Sequence, residues 1–398
     1  MFDNLLTAAY ELQPETVAFR RSLHERPEIG NHLPQTREQV LAAIEDLPLD
    51  VTLHERTSGI VGVLMGDRPG PAIILRGDMD ALPMQEDTDL DFASAHDTTM
   101  HACGHDLHTA MLAGAARILT NRANSLAGSV VFMFQPGEEG HHGARFMLDE
   151  GLLDRDPRPT GAFALHVTTI FESGTINHRG GPQLASADEV EITVTGKGGH
   201  ASAPHHAFDP IPVAAEIILA VQTAVTRRFS VFEPVVVTFG RVTSGTTHNV
   251  IPETATLVGT VRSLSDESRT AVHEMLERVS TNIAAAHGLQ AKLHIRRGYP
   301  VTVNDRQFAD FVRSIASDLI GHEGVRPMRD PLMGAEDWSY VLEQVPGAMA
   351  FLGACPPHLE PGVAPNNHSN RVVFDEDAMP VGIALYAAVA SAFLTEEQ

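Results

Sequence analysis

VVFMFQPGEEG, residues 130–140, runs five apolar residues into a polar turn flanked by glycines, and that junction decides the fold. An apolar run without alternation reads as a strand buried on both faces, here stopped by Gln135-Pro136-Gly137. The figure recurs on either side. Ala72 to Leu75 runs into Arg76-Gly77-Asp78-Met79-Asp80, and Ala162-Phe163-Ala164-Leu165 ends at His166. Helical patterns lie between: Leu107, Met111, Leu112, Ala115 and Leu119 recur at helical spacing, and Ala144 to Glu150 reads as a short helix closed by Gly151. Buried strands alternating with helices predict an α/β domain built on a mainly parallel sheet covered on both faces.

From about residue 185 the pattern changes. Val190, Ile192 and Val194 alternate with Glu191, Thr193 and Thr195, which suits a strand with one wet face. Asp209-Pro210 opens a helix in which Val213, Ile217, Ile218 and Val221 share a face. Strand-like runs follow over Val235 to Val242 and Thr254 to Val261. A second helix starts near Ser265 and ends at Gly288, and Lys292 to Arg296 is a last strand. The order β-α-β-β-α-β predicts an inserted ferredoxin-like α+β domain at 185–299. Residues 1–184 and 300–398 then form the two parts of the larger domain, whose last helical pattern covers Asp375 to Leu394.

Composition sets the outer limits. The 398 residues carry 28 basic and 51 acidic side chains, a formal charge of −23, which argues against a basic nucleic-acid-binding surface. Cys103 and Cys355 are too few for a disulfide framework. The opening MFDNLLTAAYELQPETVAFR has no basic start before an apolar run, and no apolar stretch approaches the ~20 residues of a spanning helix. These features predict a cytoplasmic chain with no membrane partner.

The 21 histidines include several beside acids and glycines, and spacing decides their meaning. His101-Ala102-Cys103-Gly104-His105-Asp106 offers a thiolate and an imidazole two residues apart; taken alone, the pair reads first as a buried free cysteine. In Pro136-Gly137-Glu138-Glu139-Gly140 the plain alternative is a solvated loop, a reading weakened by the buried strand just before it. One carboxylate of the pair can bind a cation while its neighbour takes a proton from water. His166 ends an apolar strand, where a histidine has little packing purpose, and Asn366-Asn367-His368-Ser369-Asn370 sets another in a polar loop. Cys103, His105, Glu139, His166 and His368 supply one sulfur, three nitrogens and one carboxylate. That exceeds the needs of one tetrahedral ion and suits two ions sharing a bridge. In the smaller domain, His200 follows Gly196-Lys197-Gly198-Gly199, where an exposed hairpin histidine is the plainer reading. Thr247 to Pro252 and Gly259 to Arg262 read as polar interruptions of strands. Asn249 could donate to a developing oxyanion, and Arg262 could grip a substrate carboxylate.

RGDMDALP (76–83), HACGHD (101–106), FQPGEEG (134–140), ALHV (164–167), GKGGHASAPH (196–205) and HNVIPE (248–253), in this order, resemble one family. It is the N-acyl-amino-acid amidohydrolase group, with hippurate hydrolases and plant indole-acetyl-amino-acid hydrolases, within the aminoacylase and glutamate-carboxypeptidase superfamily. The resemblance spans nearly the whole chain. It implies a binuclear metallohydrolase with a catalytic domain and an inserted lid or dimerisation domain. It implies metal ligands at Cys103, His105, Glu139, His166 and His368, a general base at Glu138, and two divalent ions per subunit, manganese or zinc first, cobalt or nickel next. It places a lid histidine at His200, reaching the active site of the partner in a homodimer or higher homo-oligomer, with Asn249 as a second lid contact. The wider superfamily's metal-binding His-x-Asp is here Asp78-x-Asp80, so Asp78 is left out of the ligands and Asp80 is kept as a residue behind them. The Met333 to Asp337 loop also resembles a segment near the site.

The implied reaction is hydrolysis of an N-acyl amino acid, N-acetyl or N-benzoyl, to a carboxylic acid and a free amino acid. Two rivals stand beside it: a metallo-carboxypeptidase or dipeptidase of the same superfamily, and a catalytically inactive metal-containing binding protein. Glu138 together with all five ligand positions weighs against the inactive protein. Acyl and side-chain specificity depend on lid and loop residues whose placement spacing does not give.

Overall fold

The computed structural model describes residues 3–395; positions 1–2 and 396–398 of the outer expected spans lie outside the described residues. The chain forms two compact units, one of Met1–Gln183, Val303–Asp330 and Asp337–Gln398, the other of Leu184–Thr302 and Pro331–Glu336. Among the described residues no helix is long and apolar enough to cross a membrane.

The first unit is built on an eight-stranded sheet. Its order is Asp50–Leu53, Ile60–Met65, Ala127–Gln135, Arg68–Asp78, Pro159–Glu172, Gly347–Cys355, Ile176–His178, Val325–Pro327. The centre is parallel, as the unbroken apolar runs predict, from Ala127–Gln135 across to Gly347–Cys355. The antiparallel members Asp50–Leu53, Ile60–Met65 and Ile176–His178 flank it. Helices His105–Thr120 and Met379–Phe393 lie against the central strands and against each other. Both are buried almost throughout, and at Gly382 an added Cβ would meet Met111 Sδ at 2.2 Å, so a small residue is what lets them approach.

The expected end of a strand at His166 is corrected. That strand runs on from Pro159 to Glu172. Its neighbour Arg68–Asp78 stays paired only as far as Arg76 opposite Ala164, while Phe351 of Gly347–Cys355 still faces His166. His166 therefore lies just past the register of one neighbour, level with Asp78. Strand ends, rather than the end of its own strand, put it near the site.

The second unit has the expected β-α-β-β-α-β order. Its four-stranded antiparallel sheet runs Val235–Ser244, Thr254–Ser263, Ser186–Thr195, Gln290–Arg297. Helices Pro210–Arg228 and Asp266–Ala286 pack on it through Val213, Ile217, Val221, Val272, Met275 and Leu276, against Val190, Ile192 and Val194. Both helices are capped by local side chains: Asp209 accepts from the Ile211 N–H and Ser265 from the Ser268 N–H. Gly259 to Arg262, read as an interruption, instead lies within the continuous strand Thr254–Ser263. The irregularity belongs to the partner strand, whose register shifts between Phe239 and Arg241. A Cβ on Gly259 would meet the Thr238 carbonyl oxygen at 2.4 Å, so the glycine serves strand packing.

Asp188 ties this unit together. Its buried carboxylate accepts from Arg269 Nε (2.9 Å), His273 Nε2 (2.8 Å) and the Gly298 N–H (3.0 Å). Burial alone pushes the carboxyl up, but the Arg269 and His273 hydrogen bonds outweigh it and hold it well below the ordinary carboxylate range. A carboxyl depressed in the folded state stabilises above its unfolded pKa of ~3.9, and that contribution is lost as pH falls through the folded value. Asp188→Asn should cost about 3–5 kcal/mol at pH 7, since it strands the Arg269 charge. Urea unfolding followed at pH 7 and down an acid series should show this loss together with a flatter acid limb; an unchanged midpoint at pH 7 would show that the network is inert.

Candidate metal centre

The first unit gathers Cys103, His105, Glu138, Glu139, His166 and His368. Cys103 and His105 flank Gly104, whose φ of +88° opens the helix His105–Thr120. A Cβ there would meet Val167 Cγ2 at 2.3 Å, so the glycine seats this turn directly on the strand that carries His166. The two glutamates follow the strand Ala127–Gln135. Each backbone N–H donates to a different oxygen of Asp80, Glu138 at 2.9 Å and Glu139 at 3.0 Å, so one carboxylate fixes where both side chains start. His368 stands in a loop at φ +67°, unusual for a residue with a side chain, and its N–H donates to the Ala102 carbonyl at 2.9 Å.

Hydrogen bonds set the tautomers. His105 Nδ1 lies 2.8 Å from the Asp80 carbonyl oxygen and His166 Nδ1 2.8 Å from the Val167 carbonyl oxygen. A carbonyl only accepts, so both histidines donate through Nδ1 and turn Nε2 inward. The inward atoms fall into two groups that share Cys103: Cys103, His105 and His166, and Cys103, Glu139 and His368, each with ligand atoms within 4.8 Å of one another. Glu138 lies within the same range of His105 and Glu139.

The donor set fits cations. His105 Nε2 and Glu139 Oε1 are buried and make no hydrogen bond. Their nearest charged atoms, Asp78 Oδ2 and His368 Nε2, each stand 3.2 Å away without hydrogen-bond alignment. Buried polar atoms are ordinarily paired, so an unpaired nitrogen and an unpaired carboxylate oxygen, clustered with the Cys103 sulfur and the His166 and His368 rings, fit a pair of metal ions. Electrostatics agree. The Cys103 thiol and the Glu139 carboxylate beside it push the His368 imidazole up to about 10. Burial presses His105 down, yet the charges of Asp78 and Cys103 raise it well above the usual value. Burial, with His108 beside it, keeps His166 neutral. The pocket thus draws positive charge toward its acids.

A further layer escaped the sequence reading. His108 Nε2 accepts the Val167 N–H at 2.7 Å, so its Nδ1 is the donor to Asp78 at 2.6 Å. The signal was available, since His108 stands three residues after His105 on one helix face. Asp78 in turn faces Arg76, 2.9 Å away, with both side chains sealed from water. Asp337 accepts from Gln135 Nε2 (2.7 Å) and the Ala144 N–H (2.9 Å), joining the strand before the glutamates to the helix Gly143–Asp149 after them.

The remaining expected residues lie in the second unit. His200 is exposed on the short strand Gly199–His200, paired opposite Val250, and its Nδ1 accepts from the Ser202 hydroxyl at 2.8 Å. Asn249 is its neighbour, the Ala201 N–H donating to the Asn249 carbonyl at 3.1 Å. Arg262 lies on Thr254–Ser263 and donates to the Thr260 hydroxyl and to the Val261 carbonyl.

Asp80→Asn isolates one element of this arrangement. An amide oxygen can accept only one of the two glutamate N–H groups comfortably, and its NH2 faces the other. Divalent-ion affinity measured by equilibrium dialysis should fall ~10–100-fold. Wild-type affinity in this variant would show that Asp80 does not fix the glutamates.

Residues 74–392 match the peptidase family M20/M25/M40. The N-acetylcysteine deacetylase of Bacillus subtilis (strain 168) is 37% identical over 375 residues, 94% of this chain and 95% of that protein. Thermostable carboxypeptidase 1 of Saccharolobus solfataricus is 33% identical over 397 residues, 99% of each. Among solved structures, a dinuclear metal-binding peptidase of the M20 family from Bacillus subtilis superposes with a TM-score of 0.82 at 34% identity, covering 97% of this chain and 99% of its own. The resemblance carried by the motifs is borne out: this chain belongs to the peptidase family M20/M25/M40 and is a hydrolase of amide bonds.

Proposed function

We propose that the chain hydrolyses N-acyl amino acids, of the N-acetyl or N-benzoyl kind, to a carboxylic acid and a free amino acid. The observation that carries the reading is the split character of Glu138 and Glu139. Their backbones are pinned to one aspartate, Glu139 lies with His368 and Cys103, and Glu138, beside His105 and Glu139, is assigned the proton transfer. The 37% identity to an N-acetylcysteine deacetylase supports the N-acyl substrate. A second reading, a carboxypeptidase or dipeptidase, draws on the 33% identity to a carboxypeptidase.

Cys103, His105, Glu139, His166 and His368 would hold two divalent ions, manganese or zinc first and cobalt or nickel next. Ions there polarise an amide carbonyl and acidify water. Glu138, buried and within reach of the same atoms, takes the proton of the attacking water and returns it to the departing amine, so each turnover restores its carboxylate. Asp80 keeps its backbone still while the proton moves. His200 and Asn249, side by side and exposed, are assigned to oxyanion stabilisation on a second copy of the chain in a homodimer, and Arg262 to the substrate carboxylate.

Turnover of N-acetyl-methionine and hippurate beside a dipeptide panel decides between the two substrate classes; faster cleavage of dipeptides would overturn the N-acyl reading. Exhaustive chelation should abolish all turnover. Glu138→Gln should keep both ions and lower kcat about 10²–10⁴-fold, whereas Glu139→Gln should lose metal. Equal metal loss in both would reverse the assignment of roles.

His200 is tested by mixing. His200→Ala and Glu138→Ala homodimers should each be nearly inactive. After subunit exchange, a heterodimer unites an intact Glu138 from one chain with an intact His200 from the other, and activity should return toward one working site. No recovery, with exchange verified by tags, would confine His200 to its own chain.

A further inference from the structure

Asn367 precedes His368 in the loop that brings that histidine to the site. Its Nδ2 lies 3.0 Å from the Cys103 carbonyl oxygen and 3.0 Å from the Val167 carbonyl oxygen. Two carbonyls can be satisfied only by a donor, so the amide's NH2 faces them, one hydrogen to each. One half-buried side chain thus joins three ligand-bearing stretches: the Cys103–His105 turn, the strand bearing His166, and its own loop.

The Val167 peptide shows how tightly this point is held. Its N–H donates to His108, and its carbonyl accepts from His166 Nδ1 at 2.8 Å as well as from Asn367, filling both lone pairs. The strand and the helix keep their places without Asn367, since sheet pairing and the packing of Gly104 hold them. The loop has less support. His368 sits at φ +67°, a conformation that costs energy unless its surroundings impose it. Besides Asn367, the loop is tied by the His368 N–H to Ala102, by the Thr169 hydroxyl to the Pro365 carbonyl (2.9 Å) and by Asp87 to Asn370 and Arg371. Of these side chains, Asn367 is the one that reaches the backbone of another ligand.

We propose that Asn367 is a positioning residue for metal binding, tying the His368 loop to the backbones of Cys103 and Val167 and so setting the affinity of one of the two ions. The ion concerned is the one assigned to Cys103, Glu139 and His368; the one assigned to Cys103, His105 and His166 rests on the helix and the strand. The inference rests on the two-ion reading given under the proposed function.

The test uses the full chain freed of metal and titrated calorimetrically with Mn2+. His368→Ala first identifies which binding step depends on His368. Asn367→Leu keeps the shape and removes the donors; it should weaken that same step about 10–100-fold and leave the other unchanged. Asn367→Asp, equally isosteric and without a donor, repeats the test should leucine disturb the packing. Asn366→Ala, which removes an acceptor of the Asn367 N–H and no donor to a ligand's backbone, should leave both steps at wild-type values. Equal weakening of both steps, no weakening of either, or the same loss in Asn366→Ala would overturn the proposal while leaving the two-ion reading in place. Fewer than two ions in the wild-type chain would overturn that reading and the proposal with it.

Discussion

A guanidinium sealed from water must be surrounded by acceptors, and at Arg76 that demand organises the first unit. Arg76 lies near the end of the central strand Arg68–Asp78 with no solvent exposure. Asp78 (2.9 Å), Gln135 (2.9 Å) and Asp337 (3.4 Å) close around it from three stretches of chain. Each then serves the site. Asp78 receives His108, and His108 receives the Val167 N–H; Asp337 joins Gln135 to the helix after Glu138 and Glu139. Even the Arg76 carbonyl is used, accepting from the Tyr386 hydroxyl at 2.6 Å, while that oxygen accepts the Leu165 N–H at 3.0 Å. The segments that carry His105, His166 and the two glutamates are thus attached to one buried charge.

Local signals in the sequence led directly to parts of this structure. The apolar runs mark the parallel centre because such strands are buried on both faces, and the alternation at Val190, Ile192 and Val194 marks the one-sided sheet of the second unit. His166 was legible because it breaks a local rule, a histidine in an apolar strand where packing has no use for one. Cys103, His105, Glu138, Glu139 and His368, each open to a plainer reading alone, were legible through the ordered motifs that contain or accompany them. Of the groups behind them, Asp80 was marked by its motif, but the pairings around Arg76 were not legible. Arg76 and Asp337 are 261 positions apart, and neither position alone signals the pairing. His166 was misplaced at a strand end because its room comes from a neighbour's register, a property of the sheet and not of its own segment. Gly259 was misread for the same reason: the irregularity it accommodates lies on the facing strand.

The charge state of the site follows from its depth. Asp78, Asp80, Glu138 and Glu139 crowd a region closed to water, and burial raises the Cys103 thiol, with the Glu139 charge adding to it. Without a cation, protons take up the imbalance at His368 and His105, the two imidazoles facing thiol and carboxylate. His166, pressed down by burial and by His108 and His105 beside it, stays neutral. A ligand must be deprotonated to bind, so cations and protons compete for His368 and Cys103, whereas His166 presents its lone pair ready-made.

The two ligand groups also differ mechanically. His105 starts a buried helix, Cys103 adjoins it through a glycine seated against Val167, and His166 belongs to a strand paired along its length with Gly347–Cys355. These three positions are built by secondary structure and exist as soon as the unit folds. His368 is held at a left-handed backbone angle by hydrogen bonds from one loop to neighbouring segments, and its side chain is 52% exposed. Loops held by few polar contacts open at lower cost than core elements. The first group is therefore placed by the fold itself, whereas the position of His368 depends on the polar contacts of one loop.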